Sequence, residues 1–141
     1  MIVLDTNVIS EALKAAPEPR VVTWLDSLTG EVAITAVTLA ELMAGLQRLP
    51  EGRRKTALGQ SIEMALEPFR GTRSILAFDE VAALAYGRVL TDRQGAGLPI
   101  STADAQIAAI CLARGGTLAT RNVRDFMSTG VLVTDPWEQG T

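Results

Sequence analysis

The chain has 141 residues, of which 48 % are apolar and 4 % aromatic, with a formal net charge of −3 and no histidine. These totals predict one domain spanning residues 1–141, and they exclude histidine as a catalytic base or metal ligand. The few aromatic residues argue against a surface on which bases stack. The net charge neither announces nor excludes a nucleic-acid binder, because a local basic rim can accompany an acidic metal site.

No apolar run approaches the length of a membrane helix, and no signal-peptide pattern opens the chain. We therefore expect a cytoplasmic protein without membrane contact. The single cysteine, Cys111, lies in an apolar helical context and is expected to be a buried, unreactive thiol.

Short apolar runs alternate with helical patterns along the whole chain. In chain order, the first part reads as strand 2–4, helix 6–14, helix 20–28, strand 31–35, helix 37–49 and helix 53–66. The second part reads as strand 74–78, helix 79–94, helix 101–116, strand 117–120 and strand 130–134. The strands are apolar throughout rather than at every second residue, which is typical of parallel strands buried on both faces. The pattern predicts an α/β fold in three layers (α/β/α), with a parallel sheet of about five strands.

Asp5 follows the first predicted strand directly, in "MIVLDTN". In parallel sheets, binding sites form beyond the carboxyl ends of the strands, and Asp5 lies at that edge. A structural role is also open, since Asp5 is placed to cap the helix that begins at Thr6 or Asn7.

Glu41 lies near the start of the helix that follows the second strand. The helical period puts it on a face shared with Val37 and Gly45, where the missing side chain of Gly45 leaves room for another segment. The alternative is structural, because Thr38 and Glu41 have the spacing of a capping box.

Asp104 lies in the first turn of a helix that Ser101 or Thr102 can cap. The helix dipole alone would stabilise an acid there. However, Asp104 shares its stripe with Ala108 and Cys111, so it is expected to face the sheet rather than water. An inward-facing acid needs a partner.

Three carboxylates directed at one edge of a sheet repel one another unless a cation lies between them. Without histidine or a second cysteine, the available ligands are oxygen atoms, which favour Mg²⁺ or Mn²⁺ over Zn²⁺. The sequence therefore predicts a divalent metal site formed by Asp5, Glu41 and Asp104.

Four segments in order, "MIVLDTNVIS", "AELMAG", "STADAQIAA" and "LATRNVRDF", resemble the PIN-domain ribonucleases of the VapC toxin type. The segments "LDTNVISE", "VVTWLDSL" and "DPW" are most similar to the FitB-like subgroup. The resemblance implies a Mg²⁺- or Mn²⁺-dependent endoribonuclease with Asp5, Glu41 and Asp104 as its core acids. Asp5 and Asp104 are expected to be the direct metal ligands.

The fourth acid of such a site is open between two residues. Some members of the family have Asp directly after "TR", where this chain has Asn122. Asp125 follows three residues later, on nearly the same side if the stretch turns helically. Either Asn122 supplies a neutral oxygen or Asp125 replaces the missing acid, and a solvated Asp125 is the structural alternative.

Polar residues beside the acids are candidates for hydrogen bonds to them or to the scissile phosphate, with plain capping or turn roles as the alternative. These residues are Thr6, Asn7, Ser101 and Thr120. Arg121 and Arg124 follow the fourth strand and are candidates for binding flanking phosphates.

The resemblance further implies a type II toxin with RNA as substrate, a cognate VapB- or FitA-like antitoxin, and self-association into dimers. Operator DNA would be bound only through the antitoxin. The alternative is a PIN scaffold with weak nuclease activity that acts mainly in a DNA-binding complex with the antitoxin.

Two unrelated classes of protein fit this sequence less well. A haloacid-dehalogenase-type phosphatase needs a second Asp where this chain has Asn7, and a receiver-like domain wants Lys where it has Arg121.

Overall fold

The structure is a computed structural model that describes residues 1–70 and 74–138. The predicted domain span of 1–141 thus includes residues 71–73 and 139–141, which lie outside the described part. The strands are β1 (Ile2–Leu4), β2 (Val32–Thr35), β3 (Ile75–Leu76), β4 (Thr117–Ala119) and β5 (Val133–Thr134). The helices are α1 (Thr6–Ala12), α2 (Pro19–Asp26), α3 (Ala36–Gln47), α4 (Arg53–Leu66), α5 (Glu80–Gly95) and α6 (Thr102–Arg114). Short 3₁₀ turns occupy Glu67–Phe69, Val123–Phe126 and Pro136–Glu138.

The five strands form one parallel sheet in the order β3-β2-β1-β4-β5. From β1 the chain moves outward through β2 and β3, and then crosses to the other side of β1 to add β4 and β5. The strand order therefore reverses between β1 and β4. In parallel α/β sheets the carboxyl ends at such a reversal form a crevice, which is the usual position of a binding site.

Apolar side chains cover both faces of the sheet. Val3, Ala33 and Leu118 belong to a cluster with α5 and α6, whereas their chain neighbours Leu4, Ile34 and Ala119 belong to a second cluster with α1 to α4. Successive strand residues point to opposite faces, so both helical layers are held by the same short strands. The predicted three-layer α/β/α fold with five parallel strands is confirmed.

The apolar residues of α2 and α3 are mostly core residues. Val21, Leu42 and Leu46 are buried, and Trp24 and Met43 are partly buried against the second cluster. Ordinary burial thus accounts for most of their apolar surface.

The strands at the sheet edges are shorter than the sequence pattern predicts. The run 74–78 pairs only over Ile75–Leu76, because β3 has β2 as its single neighbour and the chain then turns into α5. Asp79 caps that helix, and its Oδ1 accepts a hydrogen bond from Ala82 N at 3.0 Å. Likewise the run 130–134 is a strand only over Val133–Thr134, at the opposite edge.

Two glycines place β4 beside β1. Gly115 ends α6 in the left-handed conformation, with φ 66°, which glycine adopts without strain. A Cβ on Gly116 would lie 2.8 Å from Val3 Cγ2, so this position admits only glycine without displacement of the central strand.

In the part of the chain that is described, no helix is long and apolar enough to span a membrane.

Candidate active site at the carboxyl edge of the sheet

Asp5 is buried directly after β1, with 5 % of its surface exposed. Its Oδ1 accepts a 2.8 Å hydrogen bond from Thr6 N at the start of α1, so the capping role is real. Its Oδ2 accepts a 2.7 Å hydrogen bond from Thr120 Oγ1, and Asn7 Nδ2 lies 3.4 Å from the same oxygen. A cap needs only one of these contacts; the others fix the carboxylate at the crevice between β1 and β4.

Thr120 joins the two strand ends at this crevice. Besides donating to Asp5, its hydroxyl oxygen accepts hydrogen bonds from Asn7 Nδ2 and from Asn122 N, both at 3.1 Å. Asn7 Oδ1 in turn accepts a hydrogen bond from Arg121 N at 3.3 Å. Asn7 and Thr120, two of the polar residues expected beside the acids, thus contact each other and Asp5.

Glu41 on α3 reaches the same place from the neighbouring strand. Its Oε1 accepts a 2.6 Å hydrogen bond from Thr6 Oγ1, which also lies 3.1 Å from Thr38 Oγ1. The capping-box alternative is wrong, because Thr35 caps α3 by accepting from Thr38 N at 3.0 Å. Glu41 therefore does not cap its own helix. Its hydrogen bond with Thr6 instead holds it beside Asp5, the residue that follows β1.

Asp104 occupies the first turn of α6 and is half-buried. Ser101, not Thr102, caps the helix, since Asp104 N donates to Ser101 Oγ at 3.1 Å. Ala108 and Cys111 on the same stripe are fully buried, which confirms that this face of α6 packs inward. Burial is the main cause that raises the pKa of Asp104 to about 6, and the Asp5, Asp125 and Glu41 carboxylates contribute to this rise while Ser101 opposes it.

The charges of the acids act on one another. Burial raises the pKa of Asp5, and the Glu41 and Asp125 carboxylates add to that rise, while hydrogen bonds from Thr120 and Thr6 oppose it. Four carboxylates from separate elements thus share one electrostatic environment. Such an arrangement favours either a retained proton or a bound cation.

Asp125 is the fourth acid of this group. It lies in the 3₁₀ turn after β4 and, although exposed, its charge raises the pKa of both Asp5 and Asp104. Asn122 instead begins the turn, where its backbone N–H bonds Thr120 and its carbonyl oxygen accepts from Asp125 N at 3.0 Å.

Arg121 is turned toward the C-terminal 3₁₀ turn. Its guanidinium carbon lies 5.1 Å from the centroid of the Trp137 ring, a cation–π distance. Trp137 is held in place by its backbone: its carbonyl oxygen accepts from Arg20 Nη1 at 3.1 Å, and its backbone N–H donates to Asp135 Oδ1. The sequence does not predict this contact between Arg121 and Trp137, although Trp137 lies in the "DPW" segment that resembles the FitB-like subgroup.

The donor set suits a hard cation that is shared with water and phosphate. Within residues 1–70 and 74–138, no three acidic or cysteine side chains approach closely enough to ligate one ion jointly. Mg²⁺ typically takes one or two carboxylates and keeps several waters, so the sparse set fits that ion.

An open groove of about 690 Å³ runs from Glu41 between α1, α3 and α4. Its lining includes Arg54 but is largely apolar, with Leu13, Leu42, Leu49 and Leu58. Gly45 also lines it, and a Cβ added there would meet nothing within 4 Å, so this face of α3 is open as predicted.

The fold agrees with a comparison against protein families, in which the PIN domain model matches residues 2–130. The chain belongs to the PIN-domain family.

Relatives resemble this PIN domain over nearly its whole length. Toxin FitB of Neisseria gonorrhoeae is 42 % identical over 138 residues, which cover 97 % of this chain and 99 % of FitB. The VapC ribonuclease Y4jK of Sinorhizobium fredii is 39 % identical over 139 residues, covering 98 % and 99 % of the two chains. The solved structure of FitAB bound to IR36 DNA fragment matches with a TM-score of 0.91 at 39 % identity, and covers 100 % of this chain and 99 % of the matched chain.

Proposed function

We propose that this PIN domain is the toxin of a type II toxin–antitoxin pair and that it hydrolyses RNA phosphodiester bonds with Mg²⁺ or Mn²⁺. The observation that carries the proposal is that Asp5, Glu41, Asp104 and Asp125 lie near enough at the crevice between β1 and β4 for their charges to interact: burial first, and then the neighbouring carboxylates, raise the pKa of the buried Asp5 and of the half-buried Asp104. The relatives named VapC ribonuclease and toxin FitB support it.

Asp5 and Asp104 are the residues that would hold the cation, directly or through water. Asp5 is buried and Asp104 half-buried, and hydrogen bonds fix Asp5 through both of its oxygens. When bound, the cation supplies positive charge at the phosphoryl oxygen and makes water a better nucleophile near neutral pH.

Glu41 is the acid best placed to orient the attacking water and take its proton. It is exposed, and Thr6 Oγ1 engages one carboxylate oxygen, which leaves the other for water. In the proposed reaction the water oxygen attacks phosphorus, its proton passes to Glu41, and the bond to the 3′ oxygen breaks. That oxygen then takes up a proton, so the products carry a 5′-phosphate and a 3′-hydroxyl.

The proposed protein partner is an antitoxin that covers the groove beside Glu41. The groove is apolar and contains Arg54, so it suits an apolar segment that also carries an acidic side chain. A relative solved as FitAB bound to DNA supports an assembly in which the antitoxin contacts operator DNA. A homodimer of the toxin is part of the same proposal.

The decisive experiment compares RNA ends from cells that express the wild type, Asp104→Asn, or the control Asp92→Asn. Asp92 is an exposed acid on α5, in the helical layer away from Glu41. We expect defined cuts with 5′-phosphate ends for the wild type and for Asp92→Asn, and none for Asp104→Asn. Purified wild type should cut the same sites with Mg²⁺ and lose the activity in EDTA.

The alternative function is a regulatory scaffold whose nuclease is weak. It would gain support if all three proteins gave the same RNA ends while the complex with antitoxin still bound operator DNA. That result would exclude the ribonuclease proposal.

A further inference from the structure

Arg93 is a buried charge near the C-terminal end of α5. Only 4 % of its surface is exposed, and no acidic side chain in the described residues pairs with it. Burying a guanidinium without a carboxylate is costly unless its N–H groups are satisfied by hydrogen bonds. Its presence in the core therefore requires a specific set of acceptors.

The acceptors are four backbone carbonyl oxygens from two different segments. Arg93 Nε donates to Leu98 O at 3.1 Å and Nη2 to Pro99 O at 2.7 Å. Nη1 donates to Met127 O at 2.8 Å and to Arg124 O at 3.3 Å. A planar guanidinium with donors in a fixed fork can meet such divergent acceptors at once, which an ammonium cannot do as well.

Both segments carry acids of the candidate site. The loop at Leu98 and Pro99 leads straight into Ser101, which caps α6 and fixes the turn that contains Asp104. The carbonyls of Arg124 and Met127 flank Asp125 in the 3₁₀ turn after β4. One side chain thus ties the backbone next to Asp104 to the backbone next to Asp125.

We propose that Arg93 is a positioning residue that sets the distance between Asp104 and Asp125. The inference rests on the proposed function for its effect on RNA cleavage, but its effect on the two segments does not depend on that function. Because the acceptors are main-chain atoms, this tie depends on Arg93 alone among the five residues concerned. Removal of the guanidinium leaves the start of α6 and the turn after β4 free to move relative to each other.

Two substitutions and one matched control separate positioning from stability. Arg93→Met keeps the long apolar stem and loses all the donors, whereas Arg93→Lys keeps the charge and loses the fork. Leu66→Ala is the control, because Leu66 is buried in α4, in the opposite helical layer, and its truncation also destabilises the fold.

Hydrogen exchange reports the structural part of the proposal. In Arg93→Met, we expect amides at 98–104 and 123–129 to exchange about tenfold faster or more, while α4 is unchanged relative to the wild type. In Leu66→Ala, we expect faster exchange in α4 and unchanged exchange in the two segments. Uniform acceleration across the chain in Arg93→Met would overturn the proposal.

Mn²⁺ binding and steady-state cleavage of RNA report its consequence for the site. At a temperature where every variant is folded, we expect Arg93→Met to bind Mn²⁺ about tenfold more weakly and to lose kcat rather than RNA affinity, with Arg93→Lys intermediate. Wild-type Mn²⁺ affinity in Arg93→Met would refute the positioning role. If the wild type cleaves no RNA, the proposed function fails, yet exchange and Mn²⁺ affinity still decide the role of Arg93. If Arg93→Met does not fold, Arg93→Lys is compared with Leu66→Ala by the same two measurements.

Discussion

Thr120 Oγ1 donates a 2.7 Å hydrogen bond to Asp5 Oδ2, and the two residues are 115 positions apart in sequence. The bond joins the carboxyl ends of β4 and β1 where the strand order of the sheet reverses. Since the same hydroxyl also accepts from Asn7 and from Asn122 N, it fills its hydrogen-bonding capacity inside the site. Thr120 therefore determines how the Asp5 carboxylate faces the crevice.

Replacement of Thr120 by Val tests this relationship at almost constant volume. The variant loses a donor to Asp5 and an acceptor for two N–H groups, and we expect a destabilisation of about 1–3 kcal/mol. Loss of the donated bond also raises the pKa of Asp5 further, which weakens cation binding. Urea unfolding and Mg²⁺ titration of cleavage measure the two effects. Thr120→Ser keeps the hydroxyl and should stay near wild type; a loss in Thr120→Ser with none in Thr120→Val would mean that packing of the methyl group, and not the bond, is what counts.

The raised pKa of Asp104 predicts a pH-dependent stability in the absence of metal. Because the folded-state pKa of about 6 lies above the unfolded value, this carboxyl favours the folded state at low pH, and that contribution is lost as pH rises through about 6. Asp104→Asn removes the cost of ionisation. In EDTA at pH 7.5 we expect the variant to melt about 2–6 °C higher than wild type, after a smaller loss of helix-dipole stabilisation.

At pH 4 the melting temperatures of wild type and Asp104→Asn should converge, since the wild-type carboxyl is then protonated. Thermal melts followed by circular dichroism at both pH values make the comparison. A lower melting temperature for Asp104→Asn at pH 7.5 would show that the carboxylate is satisfied without a cation, against the proposed metal site.

The fourth acidic position can be resolved by two single substitutions. Asp125→Asn removes a charge that acts on both Asp5 and Asp104, and we expect the Mg²⁺ concentration for half-maximal cleavage to rise about tenfold. Asn122→Ala keeps the backbone N–H that bonds Thr120 and should change this concentration little. The reverse ranking would assign the position to the side chain of Asn122.

Gly116 and Gly45 form a matched pair for a test of packing, because an added methyl group meets Val3 at one position and open space at the other. A methyl group at Gly116 meets Val3 at 2.8 Å in the sheet centre, so Gly116→Ala should destabilise the fold by about 1–3 kcal/mol. A methyl group at Gly45 meets nothing within 4 Å, and Gly45→Ala within α3 should stabilise by about 0.5–1 kcal/mol. Urea unfolding of both variants tests the pair, and a neutral Gly116→Ala would mean that β1 and the β4 approach can adjust.

The strand and helix order was predictable because the signals are local. Apolar runs, proline breaks, the serine cap at Ser101 and the glycine stop at Gly115 all act within a few residues of sequence. The ends of β3 and β5 could not be predicted, since the length of an edge strand depends on its neighbour and not on its own composition. The choice of Thr35 over Thr38 as cap of α3 likewise depends on where β2 ends.

A shared electrostatic environment for the three core acids could be predicted because a parallel sheet brings the ends of its strands to one edge. The hydrogen bonds that hold these acids in place could not be predicted, since they depend on contacts between residues far apart in sequence. Arg93 is the clearest case: it shares a helical stripe with Ala82 and Val89, both buried, which is a signal for an inward-facing charge. Its acceptors are backbone carbonyls, and no residue type marks those in a sequence.

The position of β1 at the centre of the sheet has a consequence for biosynthesis. Asp5 is translated 115 residues before Thr120, the partner that fixes its carboxylate. A growing polypeptide on the ribosome therefore has the first acid long before it can assemble the crevice. For the proposed toxin, the site between β1 and β4 is therefore completed only after most of the chain has been synthesised.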